Sequence, residues 1–307
     1  MPFRVFARFE ALPKELEVPP PAPVRPIPAT PLEPREQPAF FHTGDDALYG
    51  VYHPAATSQA TTVVVHCHGL GVEQVVNYRN AVRLARALAA RGVPAFRWHA
   101  RGHGDSTGDF ADVTLDRLAD DAIAAMDEAR ARSGATRVAF VAERFGALVA
   151  ASALARRDDV AALALWEPVH RPDEYFRGML RGLLFSEVAR GRRPGVTVDE
   201  LLDRVAREGA VDVHGYHLHR AVVESTRGAD LASRLAGWNG PTLLVQVQAR
   251  PRLAPAHAAL VAELERRGAR VATRQIAEEP GWHFISNPAW ESDALVDETA
   301  EWLRAVA

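Results

Sequence analysis

The stretch RVAFVAERFGALVAASALA, Arg137 to Ala155, decides the fold. Its first part is an apolar run that predicts a buried strand, and its second part is an alanine- and leucine-rich segment that predicts a helix. Few residues separate the two parts, so the turn between them must be tight. Ala142 and Gly146 flank Arg144 in this turn, and small residues let strand and helix backbones pass close together. The stretch therefore predicts a sharp elbow that presents Arg144.

Strand-like and helix-like segments alternate on both sides of this elbow. Upstream, TTVVVHC predicts a strand buried on both faces, and NYRNAVRLARALAARG predicts an amphipathic helix. Downstream, VAALALW, PTLLVQVQ and ARVATRQIA continue the pattern. The predicted fold class is α/β, a mostly parallel central sheet with helices on both faces. Before it, PAFFHTGDDALYGVYHP has apolar residues on both sides of a Thr-Gly-Asp-Asp turn, which predicts a hairpin.

Composition divides the chain into parts. Residues 1–38 hold eleven of the 21 prolines, which favours polyproline II structure and predicts an N-terminal arm. Residues 39–168 and 241–307 carry the strand and helix pattern of the predicted core. Residues 169–240 lack strand signals, and their helical segments predict a small lid inserted in the core. We expect the arm to lie over its own domain or, as the alternative, to contact another subunit or protein.

Composition also bounds the function. The 307 residues are 48% hydrophobic and 24% charged, as in a globular protein with a full core. The formal net charge of -3 provides no basic field for nucleic acid, so we expect a small-molecule partner. The sequence has no apolar run long enough for a membrane span, no secretory signal pattern and a single cysteine, Cys67. These features predict a cytoplasmic protein without an integral membrane segment.

Candidate residues for chemistry lie where the predicted parallel strands end, because ligands bind there in such sheets. HGLG follows one strand, RGHGDSTG follows the next, the elbow follows a third, and GWHF comes late in the chain. Together these motifs resemble the α/β-hydrolase family, in its serine aminopeptidase-like branch, over most of the chain past residue 40. Within that branch, GDSTGDF, ERFGALVA and LWEPVHRPDEYFRGMLR resemble hydrolase-like proteins associated with exosortase systems.

The resemblance implies a triad of nucleophile, acid and histidine, of which this sequence keeps only part. Arg144 stands at the nucleophile position, and a protonated guanidinium cannot attack a carbonyl. The segment after TLLVQVQ reads ARPRLAP, so it brings Arg250 and Arg252 in place of the expected acid. The histidine remains as His283 in PGWHF, and Glu167 after VAALALW is a candidate to orient it. We therefore expect no serine-type acyl-enzyme.

These arginines predict a cationic cleft that favours an anionic ligand. The planar guanidinium of Arg144 suits carboxylate or phosphate, and the low dielectric of a lidded cleft strengthens such pairing. The alternative for Arg144 is an ion pair with Glu143 or Glu167, and for Arg250 and Arg252 it is an ordinary surface position. A positive φ at the elbow would strain Arg144, which favours a functional role.

The HGLG motif predicts an oxyanion loop. The backbone amides of Leu70 or Gly71 and of Phe145 are expected to point at one ligand oxygen, with His68 and Gly69 beside them. The alternative is a tight turn that ends the strand, and both descriptions can hold.

Histidines also crowd these strand ends, which raises the question of a metal. His66, His68, His99 and His103 follow two strands expected to be neighbours, and His283 is expected nearby. Their spacing fits no known metal signature, so we expect neither a metal nor another cofactor.

Two classes of function remain. In a non-covalent enzyme, Arg144 anchors a small anionic or acyl-type substrate, backbone amides stabilise negative charge, and His283 moves a proton. Lyase, isomerase, cyclase or water-mediated hydrolysis chemistry would suit such a site. In a catalytically inactive binding or scaffold protein, the pocket is kept and turnover is lost.

The retained His283 favours the enzyme, whereas the proline-rich arm and the broken triad favour the scaffold. The enzyme is the main hypothesis, because a histidine kept in the cleft has no evident purpose in a scaffold.

Overall fold

The structure is a computed structural model that describes residues 36–55, 60–189, 191, 193–249, 252–279, 281–283 and 290–306. Nearly all of the predicted N-terminal arm, Arg250 and the side chain of His283 lie outside the described residues. All described residues belong to one compact unit.

Strands form a large sheet and a separate small hairpin. The described residues contain the strands β1 (Gln37–Thr43), β2 (Asp46–His53), β3 (Thr62–Cys67), β4 (Ala95–Trp98), β5 (Arg137–Glu143), β6 (Val160–Trp166), β7 (Ala210–Val213), β8 (Tyr216–His219), β9 (Pro241–Val247) and β10 (Arg270–Ile276). The large sheet has the order β1-β2-β4-β3-β5-β6-β9-β10. Only β2 pairs antiparallel within it, with β1 and with β4, and the remaining neighbours are parallel. This arrangement confirms the predicted fold class and the predicted first hairpin.

Helices cover both faces of the sheet. They are α1 (Val72–Ala90), α2 (Leu115–Ser133), α3 (Gly146–Leu154), α4 (Pro172–Ala189), α5 (Val198–Glu208), α6 (Arg220–Ser225), α7 (Leu231–Arg234), α8 (Pro255–Arg266) and α9 (Asp293–Val306), with short 3-10 helices at Phe110–Asp112 and Gly281–His283. One apolar core packs α2 and α3 against the sheet, and a second packs α1 and α9 against its other face. Among the described helices, none is both long and apolar enough to cross a membrane.

Helix α2 shows how sequence signals set an element and its packing. Thr114 caps the helix by accepting a hydrogen bond from the Arg117 N–H, and Gly134 ends it in the left-handed conformation. The residues predicted to form its apolar stripe are all buried, namely Leu115, Leu118, Ala122 and Met126.

The inserted segment 169–240 differs from its helical prediction. It contains α4 to α7, but β7 and β8 form an antiparallel hairpin between α5 and α6. The turn of this hairpin is His214-Gly215, and both residues have positive φ, as a two-residue hairpin turn requires. The expectation of helices alone is therefore wrong here. Side chains of this segment, Phe176 and Val213 among them, share the core that covers α2 and α3.

Candidate functional site

The elbow joins β5 to α3 at the carboxyl edge of the sheet. Arg144 has φ 51 at its tip, a left-handed conformation that strains a non-glycine residue. The Arg144 carbonyl accepts a hydrogen bond from the Val169 N–H at 3.0 Å, which ties the elbow to the chain after β6. A Cβ on Gly146 would collide with the carbonyl oxygens of Cys67 and His68, so the backbones here pass as closely as the sequence predicts.

The guanidinium of Arg144 is held by residues from two other elements. Its Nε donates to Glu73 Oε1 at 3.0 Å, and its Nη1 donates to the backbone carbonyl of Glu167 at 3.2 Å. Tyr175 of α4 donates its hydroxyl hydrogen to Glu73 Oε2 at 3.0 Å, and its ring lies 5.7 Å from the Arg144 guanidinium carbon. We call these three side chains the Arg144–Glu73–Tyr175 cluster. Of the two interpretations of Arg144, the structure thus shows the alternative, an internal ion pair, but the partner is Glu73 in the first turn of α1 and neither Glu143 nor Glu167.

This cluster is buried and its formal charges cancel. The side chain of Arg144 is 14% exposed and that of Glu73 is 7% exposed. Burial raises the pKa of Glu73, against the opposing attraction of Arg144. Burial alone would lower the pKa of Arg144, but the combined attraction of Glu73, Tyr175 and Glu167 outweighs burial and the pKa rises. An external anion would therefore have to displace Glu73 before it could pair with Arg144.

Glu143, just before the elbow, lies beneath the HGLG loop with its side chain fully buried. Its Oε1 accepts a hydrogen bond from the Gly69 N–H at 2.9 Å, and its Oε2 accepts one from the Asn77 side-chain amide and lies 3.3 Å from His66 Nε2. Burial alone would raise the pKa of Glu143, but the hydrogen bond from His66 and the attraction of His66 and His68 hold it well below its ordinary range. Glu143 is thus an internal charge that fixes the loop.

His66 and His68, the candidate metal ligands at this edge, stack on each other. Among the described residues, His66, His68 and Glu143 bring potential ligand atoms within 4.8 Å of one another. The two imidazoles are stacked, with centroids 4.4 Å apart and planes 18° apart. Stacked rings direct their nitrogen lone pairs side by side, whereas two ligands of one ion must converge. Burial lowers the pKa of His68 to about 4, so it is a neutral ring packed against Glu143.

The predicted oxyanion loop keeps unused donors. Within the described part of the chain, no hydrogen bond uses the backbone N–H of Leu70, Gly71 or Phe145, whereas the Gly69 N–H is taken by Glu143. A cavity of about 30 Å³ lies beside His68 and this loop. That volume is large enough for a water molecule beside the loop.

Glu167, on the other side of Arg144, is also buried and also strained, with φ 42. Its Oε1 accepts a hydrogen bond from the Val247 N–H at 2.7 Å, and its Oε2 lies 3.7 Å from His257 Nε2. Burial raises the pKa of Glu167 to about 6 and lowers that of His257 to about 4. Sequence reasoning named His283 as the partner of Glu167 and missed His257. Since β6 and β9 are neighbours, the start of α8 brings His257 to Glu167.

The remaining predicted residues contribute differently. Arg252 is exposed, and its backbone carbonyl accepts a hydrogen bond from the Gln246 side chain at 2.7 Å. Its fellow candidate Arg250 lies outside the described residues, as does the side chain of His283. His103 contacts Phe110 and the Arg101 carbonyl and does not join the His66 and His68 pair.

Comparisons with known proteins agree with this fold. Residues 58–249, well over half of the chain, match the family described as Serine aminopeptidase, S33. No curated protein matches the sequence.

Solved structures extend the likeness to most of the chain. Est1E from Butyrivibrio proteoclasticus, solved with ferulic acid, is 17% identical with a TM-score of 0.59, covering 87% of this chain and 98% of that chain. The Pyrococcus furiosus esterase Pf2001 is 17% identical with a TM-score of 0.60, covering 90% of this chain and 92% of that one. DcsB, solved with a substrate analogue, is 15% identical with a TM-score of 0.60, covering 89% and 99%. At these identities the likeness shows the fold alone, and it is the family match that allows the assignment. The chain belongs to the serine aminopeptidase S33 family and has the α/β-hydrolase fold.

Proposed function

We propose that this protein is a binding protein of α/β-hydrolase fold that does not hydrolyse its ligand through a serine-type acyl-enzyme. The observation that carries the proposal is the ion pair between Arg144, at the tip of the elbow, and Glu73. A nucleophile needs a lone pair that a base can expose, and a guanidinium in contact with a carboxylate offers none.

The surroundings of Arg144 support the same conclusion. The cluster closes over the elbow with α1 on one side and α4 on the other, so the inserted segment contributes directly through Tyr175. Because the charge of the cluster is balanced and Glu73 already pairs with the guanidinium, an external anion would gain little binding free energy there. The unused N–H groups of Leu70 and Phe145 can donate hydrogen bonds to the carbonyl oxygen of an uncharged ligand.

An acyl-type ligand is therefore the class we propose. The esterase neighbours, one of them solved with ferulic acid, make the same class reasonable for this fold. The resemblance of ERFGALVA and LWEPVHRPDEYFRGMLR to hydrolase-like proteins of exosortase systems suggests that this protein serves as a non-hydrolytic component of such a system.

A second candidate function is a non-covalent enzyme, and Glu167 favours it. A carboxyl group with a pKa of about 6, beside a neutral histidine, is suited to proton transfer near neutral pH. In this hypothesis a small anionic or acyl-type substrate displaces Glu73 from Arg144, and His283 or Glu167 carries the proton.

Hydrolysis and binding assays on matched variants separate these functions. We expect the wild type to release no burst of nitrophenol from p-nitrophenyl acetate or butyrate, and Arg144→Ser to release none either, since the expected acid position lacks a carboxylate. A wild-type burst equal to the protein concentration that Arg144→Ser abolishes would contradict the proposal. Glu73→Gln tests the second candidate, because it frees Arg144 while keeping the shape of the side chain. Carboxylates that raise the Tm of Glu73→Gln but not of the wild type would show that Arg144 can act as an anion anchor.

A further inference from the structure

A second cavity lies between α1 and the antiparallel side of the sheet. It is a groove of about 470 Å³, within the size range of small-molecule sites. Its lining includes the charged side chains of Glu36, Arg86 and Arg97 and the apolar or aromatic side chains of Tyr49, Val51, Tyr78 and Val82. We call it the Arg97 groove.

Arg97 is a buried cation whose contacts are neutral. It is 5% exposed, its Nε donates to His53 Nε2 at 3.0 Å, and its Nη1 donates to the Tyr78 hydroxyl at 2.9 Å. The ion pairs found among the described residues include none made by Arg97. Burial, with help from Arg97, lowers the pKa of His53 to about 4, so His53 is uncharged at neutral pH. A buried guanidinium held only by neutral groups is costly unless another partner arrives.

The charge around the groove leaves one positive charge in excess. Arg86 donates from Nε to Glu36 Oε1 at 2.6 Å, so these two side chains cancel each other. His53 contributes nothing while neutral, and Glu36 attracts Arg97 without forming an ion pair with it, so among the described residues of the groove the charge of Arg97 is the one left unbalanced. One monovalent anion would balance the groove, and the planar guanidinium suits a carboxylate.

We propose that the Arg97 groove binds a small monocarboxylate with a flat apolar body, and that Arg97 is its anion anchor. Tyr49 and Tyr78 supply aromatic walls, and Val51 and Val82 supply apolar ones, so the uncharged part of such a ligand packs against them. The site is separate from the Arg144–Glu73–Tyr175 cluster, and the proposal does not depend on the function assigned there.

Binding of benzoate, measured by isothermal titration calorimetry on the full chain, tests the proposal. We expect benzoate to bind and its neutral counterpart benzamide to bind at least about tenfold more weakly, because only the carboxylate pairs with Arg97. Arg97→Met keeps the alkyl stem, removes the charge and should weaken benzoate binding by a similar factor. Arg83→Met is the control for the loss of a guanidinium, since Arg83 lies on α1, pairs with Asp293 and does not line the groove.

Two further variants keep the test decisive if Arg97→Met does not fold. Val82→Trp fills the groove without changing its charge and should abolish benzoate binding, whereas Glu36→Gln removes a competing carboxylate and should tighten it. Benzoate binding that is absent from the wild type, equalled by benzamide, or kept in Val82→Trp overturns the proposal. Inorganic phosphate that binds more tightly than benzoate, and needs Arg97, would overturn the carboxylate class.

Discussion

Glu143 and Glu167 flank the elbow, and they differ in a way that explains the site. They lie at the ends of neighbouring parallel strands. Glu143 is the last residue of β5, and Glu167 is the first residue after β6. They are 0% and 8% exposed. Burial disfavours the charge of both, yet the pKa of Glu143 is held well below its ordinary value and that of Glu167 is raised to about 6.

The difference lies in the number of donors. Within the described ranges, Glu143 receives hydrogen bonds from Gly69, Asn77 and His66, whereas the carboxylate of Glu167 receives one, from the Val247 N–H. Charge-assisted hydrogen bonds compensate for lost solvation when they are numerous enough. Glu143 is therefore a permanent charge that fixes the HGLG loop, and Glu167 is a group that changes its protonation near neutral pH.

Replacing Glu143 should have the largest effect. Glu143→Gln replaces one carboxylate oxygen with an NH₂ group that would face the Asn77 NH₂ group, so one hydrogen bond is lost. It also removes the negative charge at the centre of this buried network. We expect the free energy of unfolding to fall by about 3 kcal/mol at pH 7, as when a buried pair loses one partner. Urea denaturation followed by circular dichroism measures it.

The pH dependence of this loss tests its cause. A carboxyl with a depressed pKa in the folded state stabilises the protein above its unfolded-state pKa, and this stabilisation disappears as pH falls through the folded-state value. The difference between wild type and Glu143→Gln should thus be constant above the ordinary value of 4.5 and shrink below it. A difference that grew in acid would refute the ionised role of Glu143.

Asn77→Ala tests the donor count directly. It removes one donor to Glu143 and should lower the free energy of unfolding by about 2 kcal/mol, the usual cost for a hydrogen bond to a charged group. Gln74→Ala is the control, because Gln74 is a buried amide on the same helix without a contact to Glu143. If Asn77→Ala and Gln74→Ala lowered the free energy of unfolding equally, the loss of a buried side chain on α1 would explain both decreases, and the hydrogen bond to Glu143 would not be their cause.

The sequence was enough for the sheet and the elbow, but not for the partners of Arg144 and Glu167. Alternating apolar strands and amphipathic helices fix an α/β sheet locally, and Ala142 and Gly146 mark the tight turn. Glu73 lies 71 positions before Arg144, and their meeting depends on how α1 starts above the loop. His257 reaches Glu167 only because β9 lies beside β6. Such contacts follow from strand order, which a single sequence leaves open.

The missed hairpin β7–β8 is a different kind of error. Its strands are only four residues long, too short for a clear alternation of apolar and polar residues. The His214-Gly215 turn was the one local signal, and a histidine at positive φ is an uncommon choice for that position.

Glu167→Gln should change the pH dependence of stability near neutral pH. Between the ordinary value of 4.5 and about 6, folded Glu167 holds a proton that the unfolded chain has released. The free energy of unfolding of the wild type should therefore fall with rising pH across this window, by up to about 2 kcal/mol. Glutamine keeps the acceptor for the Val247 N–H and cannot ionise. The free energy of unfolding of the variant should therefore rise relative to that of the wild type as pH rises. Parallel pH profiles for the two proteins would exclude a raised pKa.

Glycine and alanine variants at all three positions give the smallest effects and separate backbone from charge. Arg144 and Glu167 have φ 51 and 42, whereas Glu143 lies in a regular strand. Each Gly and Ala pair loses the same side-chain contacts, so the difference within a pair reports the backbone. We expect Arg144→Gly and Glu167→Gly to be more stable than their alanine counterparts by about 1 kcal/mol, and Glu143→Gly to be less stable than Glu143→Ala by about 0.5–1 kcal/mol. Thermal and urea unfolding of the six variants measures whether the stability difference between glycine and alanine changes sign between Glu143 and the other two positions. If the alanine variant were the more stable one at all three positions, the elbow would have to relax when its charges are removed. The ion pair with Glu73 would then be what holds Arg144 in its strained conformation.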